Sequence, residues 1–330
     1  MQRKVALGLA GAVLLVAALA MAASTGLGHE MGYLRRLGNG ELAAVRCLPF
    51  VKRREVELAV QGLTLRGDLY GAPEARKPGI VLLHGSSVHG RRLPLYPALA
   101  TELVRAGYHV LAIDLRGFGE SEDPAVLADP AGWEFPADAA TAVDSLIAWA
   151  NVDASRIYLV GHSFGAGPAI AAAQRDRRIS KVVMIGPTRR LTERFLRTGA
   201  ADSAYYVERW QRDMRLPDRV PYETIVEILR DENVEQYADG PYETRVPVLL
   251  ADGAQEDPRD LESLRGVAER MGPIATYWTT PGTDHYLHTA QMLREPHRWA
   301  PERLARIPCY NREVMRGFVA YVDDWLRARS

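Results

Sequence analysis

The stretch IYLVGHSFGAGPAI, Ile157 to Ile170, decides how this chain is read. Ile157 to Val160 is apolar at every position, the pattern of a strand covered on both faces. Beyond Gly165 the residues are small, and Pro168 is tolerated only near the start of a helix. Between strand and helix stands Gly161-His162-Ser163-Phe164-Gly165, a G-x-S-x-G sequence. In that setting the chain turns so sharply that the serine backbone is strained, and the glycines let the flanking segments approach closely. The unpaired N–H groups of the helix start face the reacting centre. Ser163 therefore reads as a nucleophile and not as a serine in a tight turn.

A serine hydroxyl is a poor nucleophile near neutral pH. It needs a base to take its proton and an acid to hold that base. In a sheet of this kind the chain order is serine, acid, histidine. Of the eight histidines, only His285, His288 and His297 lie far enough along. His285 follows the turn PGTDH and is the expected base; His288 is the rival, and His297 sits in a Pro-bounded segment expected at the surface. VLLADGAQEDPRD offers Asp252, Glu256, Asp257 and Asp260 as acids. Asp252 is expected at a strand end, facing the turn. Asp257 is the expected acid because it is far enough into the loop and Pro258 stiffens the turn after it; Glu256 competes with it. The oxyanion of an acyl-transfer intermediate needs two backbone N–H groups. Phe164, after the serine, and Ser86, after LLHG, are the candidates, with Ser87 next.

Outward from this turn the pattern repeats. EVELAV and LTLRGDLY alternate with period two around Gln61-Gly62, which reads as a hairpin. Buried strands are expected at Gly79 to Gly85, Tyr108 to Asp114, Arg156 to Gly161, Lys181 to Gly186 and Val246 to Asp252, and a weaker one at Ala275 to Thr280. Helical patterns cover Leu95 to Ala106, Ala137 to Ala150 and Arg312 to Arg327. The alternation predicts an α/β fold, a mostly parallel central sheet with helices on both faces. Ligands then bind beyond the carboxyl ends of the strands. Thr188 to Arg245 is too long for an ordinary connection and is charged and aromatic, which predicts a helical lid insertion at about residues 188–245. Its aromatics, Trp210 and Tyr222 among them, equally suit core packing under surface helices.

The chain ends and the charge balance narrow the function classes. Gln2, Arg3 and Lys4 precede an apolar run, Val5 to Ala23, that closes on small residues. This is the plan of a signal peptide, with an uncleaved membrane anchor as the rival. The expected organisation is 1–23 as targeting segment, 24–53 as arm and 54–330 as the folded domain, exported to the periplasm or the medium, or tethered to the membrane. The balance of 41 basic and 41 acidic residues argues against a nucleic-acid surface. No metal-binding spacing stands out, and no cofactor is expected. In an oxidising compartment Cys47 and Cys309 could pair, or remain two buried thiols.

LLHGSS, LAIDLRGFGES, VDASRIYLVGHSFGAG, LLADGAQEDP and PGTDHYL occur in one order, and together they resemble the α/β-hydrolase superfamily from Glu55 onward. The VDASRIYLVGHSFGAG phrase is similar to the dienelactone-hydrolase and serine-aminopeptidase branches. The resemblance implies Ser163 as nucleophile, His285 as base, an acid in the GAQEDP loop and a lid over the strand ends. The family places its acid three residues after the loop glycine, which here is Glu256, with Asp257 one later. The implied activity is cleavage of a small-molecule carboxylic ester through an acyl-enzyme. A serine aminopeptidase or amidase, with Glu193, Asp202, Glu208 or Glu223 binding an amino terminus, is the alternative within the fold. A catalytically idle, membrane-tethered binding module is the alternative of another class, because a fold alone does not set function.

Overall fold

The hairpin at Gln61-Gly62 is made by strands β1 (Arg53–Val60) and β2 (Leu63–Tyr70). Both turn residues have positive φ, 49° and 82°, which suits the twist of a two-residue hairpin. The computed structural model describes residues 45–46, 51–72, 74–187, 220–231, 236–239, 244–288 and 310–328. The chain divides into two units, Met1–Arg46 and Cys47–Ser330. In the first, the described residues are Val45–Arg46, a two-residue strand. The targeting segment, both cysteines and most of the lid expectation lie outside the described residues. Among the described residues no helix is long and apolar enough to cross a membrane.

The second unit carries β3 (Lys77–Leu83), β4 (His109–Ile113), β5 (Val152–His162), β6 (Ile179–Ile185), β7 (Val248–Gly253) and β8 (Ala275–Thr280). With the hairpin they form one eight-stranded sheet in the order β1-β2-β4-β3-β5-β6-β7-β8. The first two pairings are antiparallel and the rest are parallel. The crossovers use α1 (Leu95–Arg105), α2 (Phe135–Trp149), α3 (Ala166–Arg175) and α6 (Pro258–Met271). Between β6 and β7 the described helices are α4 (Tyr222–Asp231) and α5 (Gln236–Asp239), and α7 (Arg312–Arg327) ends the fold.

Strand residues alternate between two cores. Val81, Leu83, Leu159, Met184 and Leu250 pack with α2, α3 and α6 on one face. Ile80, Leu82, Val160, Ile185 and Ala251 pack with α1 and α7 on the other. Where both cores cover them, the central strands carry no polar face, which is why those stretches read as continuous apolar runs. The pairings Leu83↔Gly161, His162↔Ile185, Ile185↔Ala251 and Gly253↔Thr280 bring the carboxyl ends of β3, β5, β6, β7 and β8 into line. That alignment places the candidate residues on one edge of the sheet.

Candidate active site

Ser163 begins a single 3₁₀ turn, Ser163–Gly165, that runs into α3. Its φ is +51°, a left-handed conformation that side-chain-bearing residues rarely adopt. Such strain persists only where packing over-determines it. A Cβ on Gly161 would lie 2.3 Å from the Gly165 carbonyl oxygen, and one on Gly165 would lie 2.5 Å from the His84 carbonyl oxygen. Only glycine at both positions lets the turn close and lie against the end of β3. Phe164 turns the other way and is buried, its ring 5.0 Å from Phe135 and 5.7 Å from Phe118. Ser163 itself stays half-buried, open to a reactant.

His285 approaches from the loop after β8. Its ring lies 4.8 Å from that of His162, the residue before the serine. Gly186, at the end of β6 with φ +52°, lies beneath it; a Cβ there would sit 2.6 Å from two atoms of the His285 ring. The loop is held by Asp284, whose carboxylate accepts the Tyr286 N–H at 2.9 Å, the His288 N–H at 2.7 Å and His288 Nδ1 at 3.2 Å. Burial works to raise the Asp284 carboxyl, but these bonds to His288 outweigh it and hold it below the usual carboxylate range. Leu287 takes a positive φ of 60° in the same turn, so His285 sits on a second strained segment.

Two carboxylates converge beside the His285 ring. One ligand atom each from Asp252, Glu256 and His285 lies within 4.8 Å of the other two. Asp252 is buried at the end of β7, with one oxygen accepting the Gly253 N–H at 2.9 Å. Glu256 is half-buried in the loop that follows. Asp257 is not part of this group. It is the N-cap of α6, where it accepts the Arg259 N–H at 2.9 Å and pairs with the Arg259 guanidinium at 2.7 Å. Pro258, at the first position of the helix, fits this start. Two carboxylates and an imidazole could also hold a divalent cation, although the ring is the group a serine needs as its base.

Residues 80–316, more than half of the chain, match the Alpha/beta hydrolase family. The chain belongs to that family. It is similar to the "Uncharacterized 31.7 kDa protein in traX-finO intergenic region" of Escherichia coli, 35% identical over 112 residues, 33% of this chain and 36% of that protein. It is also similar to "Thiohydrolase aneE" of Aspergillus aculeatus, 36% identical over 135 residues, 40% of this chain and 41% of that protein. The matches thus span well under half the length of these curated relatives. Among solved structures, Est1E from Butyrivibrio proteoclasticus with ferulic acid bound superposes with a TM-score of 0.55 at 19% identity, covering 81% of this chain and 98% of that one. At that identity the shared property is the fold.

The hydrolase sheet brings Ser163, His285 and Glu256 to one edge. Ser86 and Ser87 follow β3 on that edge, in a segment secured by Arg91. The Arg91 guanidinium is buried, pairs with Asp114, and lies 3.3 Å from Asp68 and 3.1 Å from Glu120. The Arg91 N–H adds a 2.6 Å bond to Asp114. The rival base His288 is buried and engaged with Asp284. His297, Glu193, Asp202 and Glu208 lie outside the described residues, and Glu223 lies in the first turn of α4. Sequence reading offered Asp252 as one of four candidate acids, at a strand end, and did not bring Asp284 or Gly186 into the site. For Asp284 a signal existed, since an aspartate two and four residues before turn N–H groups is an Asx-turn former. For Gly186 none did.

Proposed function

We propose that this protein is a serine hydrolase that cleaves a carboxylic ester or thioester through an acyl-enzyme. The observation that carries the reading is the positive φ of Ser163 inside G-x-S-x-G, at a sheet edge shared with His285. In the first half-reaction His285 takes the Ser163 proton as the oxygen attacks the acyl carbon. The N–H groups of Phe164 and Ser86 receive the oxyanion. The leaving alcohol or thiol departs with the proton held on His285. Water then attacks the acyl-enzyme, His285 takes its proton, and the carboxylic acid leaves as Ser163 is restored. Glu256 is the orienting acid in this scheme. It shares a 4.8 Å group with His285, and it stands three residues after Gly253. Asp252 adds a second negative charge beside the same ring.

Support for the acyl class comes from the similarity to a thiohydrolase and from the fold shared with Est1E, whose structure holds ferulic acid. The test is labelling of the purified protein with a fluorophosphonate, beside Ser163→Ala and His285→Ala. Labelling lost in both variants is the expected result; a folded wild type that stays unlabelled overturns the proposal. Turnover of matched p-nitrophenyl esters and acyl thioesters then separates the two leaving groups.

A further inference from the structure

Behind the candidate site runs a chain of buried hydrogen bonds whose donors all point one way. The Leu115 N–H donates to His84 Nε2 at 3.0 Å, so that nitrogen carries no proton. A neutral His84 then holds its proton on Nδ1, 2.7 Å from the Gly85 carbonyl oxygen. The Gly85 N–H donates to the Tyr96 hydroxyl at 2.6 Å. The hydroxyl turns its own proton to His162 Nδ1, 2.9 Å away. His162 therefore carries its proton on Nε2, which donates to the His285 carbonyl oxygen at 3.0 Å. The tautomers are assigned from this network, and with both imidazoles neutral no other assignment satisfies every link.

Both histidines are buried, and burial pulls each imidazole down; for His162, with the His285 ring adding to it, the value falls to about 3. Burial also raises the Tyr96 phenol well above its usual range, so it keeps its proton. The chain is thus neutral throughout at pH 7. There is no slack in it either, since a Cβ on Gly85 would lie 2.9 Å from the Ser163 Cβ and 3.1 Å from His162 Nδ1.

We infer that Tyr96 and His162 are positioning residues that hold the base loop and the oxyanion loop in fixed relation to each other. Resting on the serine-hydrolase reading, the inference ties the backbone of His285 to Gly85, the residue before the proposed oxyanion donor Ser86. A base displaced by a fraction of an ångström still binds substrate but transfers protons poorly. Loss of the link therefore lowers kcat and leaves KM nearly unchanged.

The experiment measures kcat and KM on p-nitrophenyl butyrate, with Tm and fluorophosphonate labelling, for the wild type, Tyr96→Phe, His162→Gln, His162→Leu and the double variant Tyr96→Phe/His162→Gln. Glutamine keeps a donor near the place of Nε2, and leucine keeps none. Tyr96→Phe is expected to lose about 10- to 100-fold in kcat with KM within about two-fold. His162→Gln should retain more activity than His162→Leu. The double variant should fall no further than the worse single, because both act through one chain. Nitrogen-15 histidine NMR adds a readout free of activity, in which His162 should show the Nε2–H form and Tyr96→Phe should shift it. A labelled wild type with unimpaired Tyr96→Phe, or an Nδ1–H form of His162, overturns the inference alone. A folded but unlabelled wild type overturns the hydrolase reading and the inference with it.

Discussion

The turn at Ser163 and the turn after β7 lie two strands apart on the same edge of the sheet, yet they are built on different principles. The first is dictated locally. A +51° φ, two glycines that admit no Cβ and a helix start single out one residue, the half-buried Ser163, at the tip of the turn. The second offers Asp252, Glu256 and Asp257 within six residues, and local chemistry permits each of them. What separates them is the start of α6. Asp257 caps the helix and pairs with Arg259, whereas Glu256, one residue earlier, places a carboxylate oxygen within 4.8 Å of a His285 ring nitrogen. A constrained turn identifies its residue; an acidic turn needs its neighbours to do so.

The comparison can be broken or sharpened by substitution. Ser163→Ala should remove turnover of p-nitrophenyl butyrate by on the order of 10⁵-fold while leaving Tm within a few degrees. Residual activity near wild type would dissolve the contrast at its stronger end. Glu256→Gln should cost about 10²- to 10⁴-fold in kcat, as loss of a triad acid does, and Asp252→Asn should cost less. The reverse ranking would move the acid to the strand end. Gly186→Ala forces a methyl against the His285 ring from a positive-φ position, and a drop of about 10- to 100-fold in kcat is expected, together with a lower Tm.

Smaller effects concern stability. The buried His162 is depressed from 6.5 to about 3, so between those values the unfolded chain binds a proton that the folded chain refuses. Stability is therefore lost as pH falls through this window. Urea unfolding at pH 7 and pH 4.5 should show a loss about 2 kcal/mol smaller in His162→Gln than in the wild type. An equal loss in both would show that His162 is not buried as described. Asp257→Ala should cost ~1 kcal/mol through the lost helix cap and leave kcat unchanged. A large fall in kcat there would return the acid role to Asp257.

Much of the fold was legible because its strands are covered on both faces. IVLL, VLAI, YLV, VVMI and VLL can only be buried runs, and all five lie within strands of the sheet. Their ends were less legible: β5 extends back to Val152 through the polar stretch Asp153 to Arg156, where no apolar pattern marks a strand. In the candidate site, turn chemistry and chain order single out Ser163 and His285 as candidates, whereas they leave several carboxylates open as the acid. Tyr96 is a further case. It lies in α1, 66 residues before His162, and looks like any core tyrosine until the sheet brings its hydroxyl between Gly85 and His162.

By itself the amino-acid sequence determined the layered α/β architecture, the strained serine turn and the order in which the candidate nucleophile and base appear. Each of these follows from periodicity or from a backbone conformation that few residues tolerate. Only the tertiary structure brings Asp252 and Glu256 within 4.8 Å of His285 and gathers Gly186, Asp284, Tyr96 and His162 around the candidate site. Those choices depend on distances between segments far apart in the chain. Such distances are set by the register and packing of neighbouring strands and helices, which no local pattern of residues encodes.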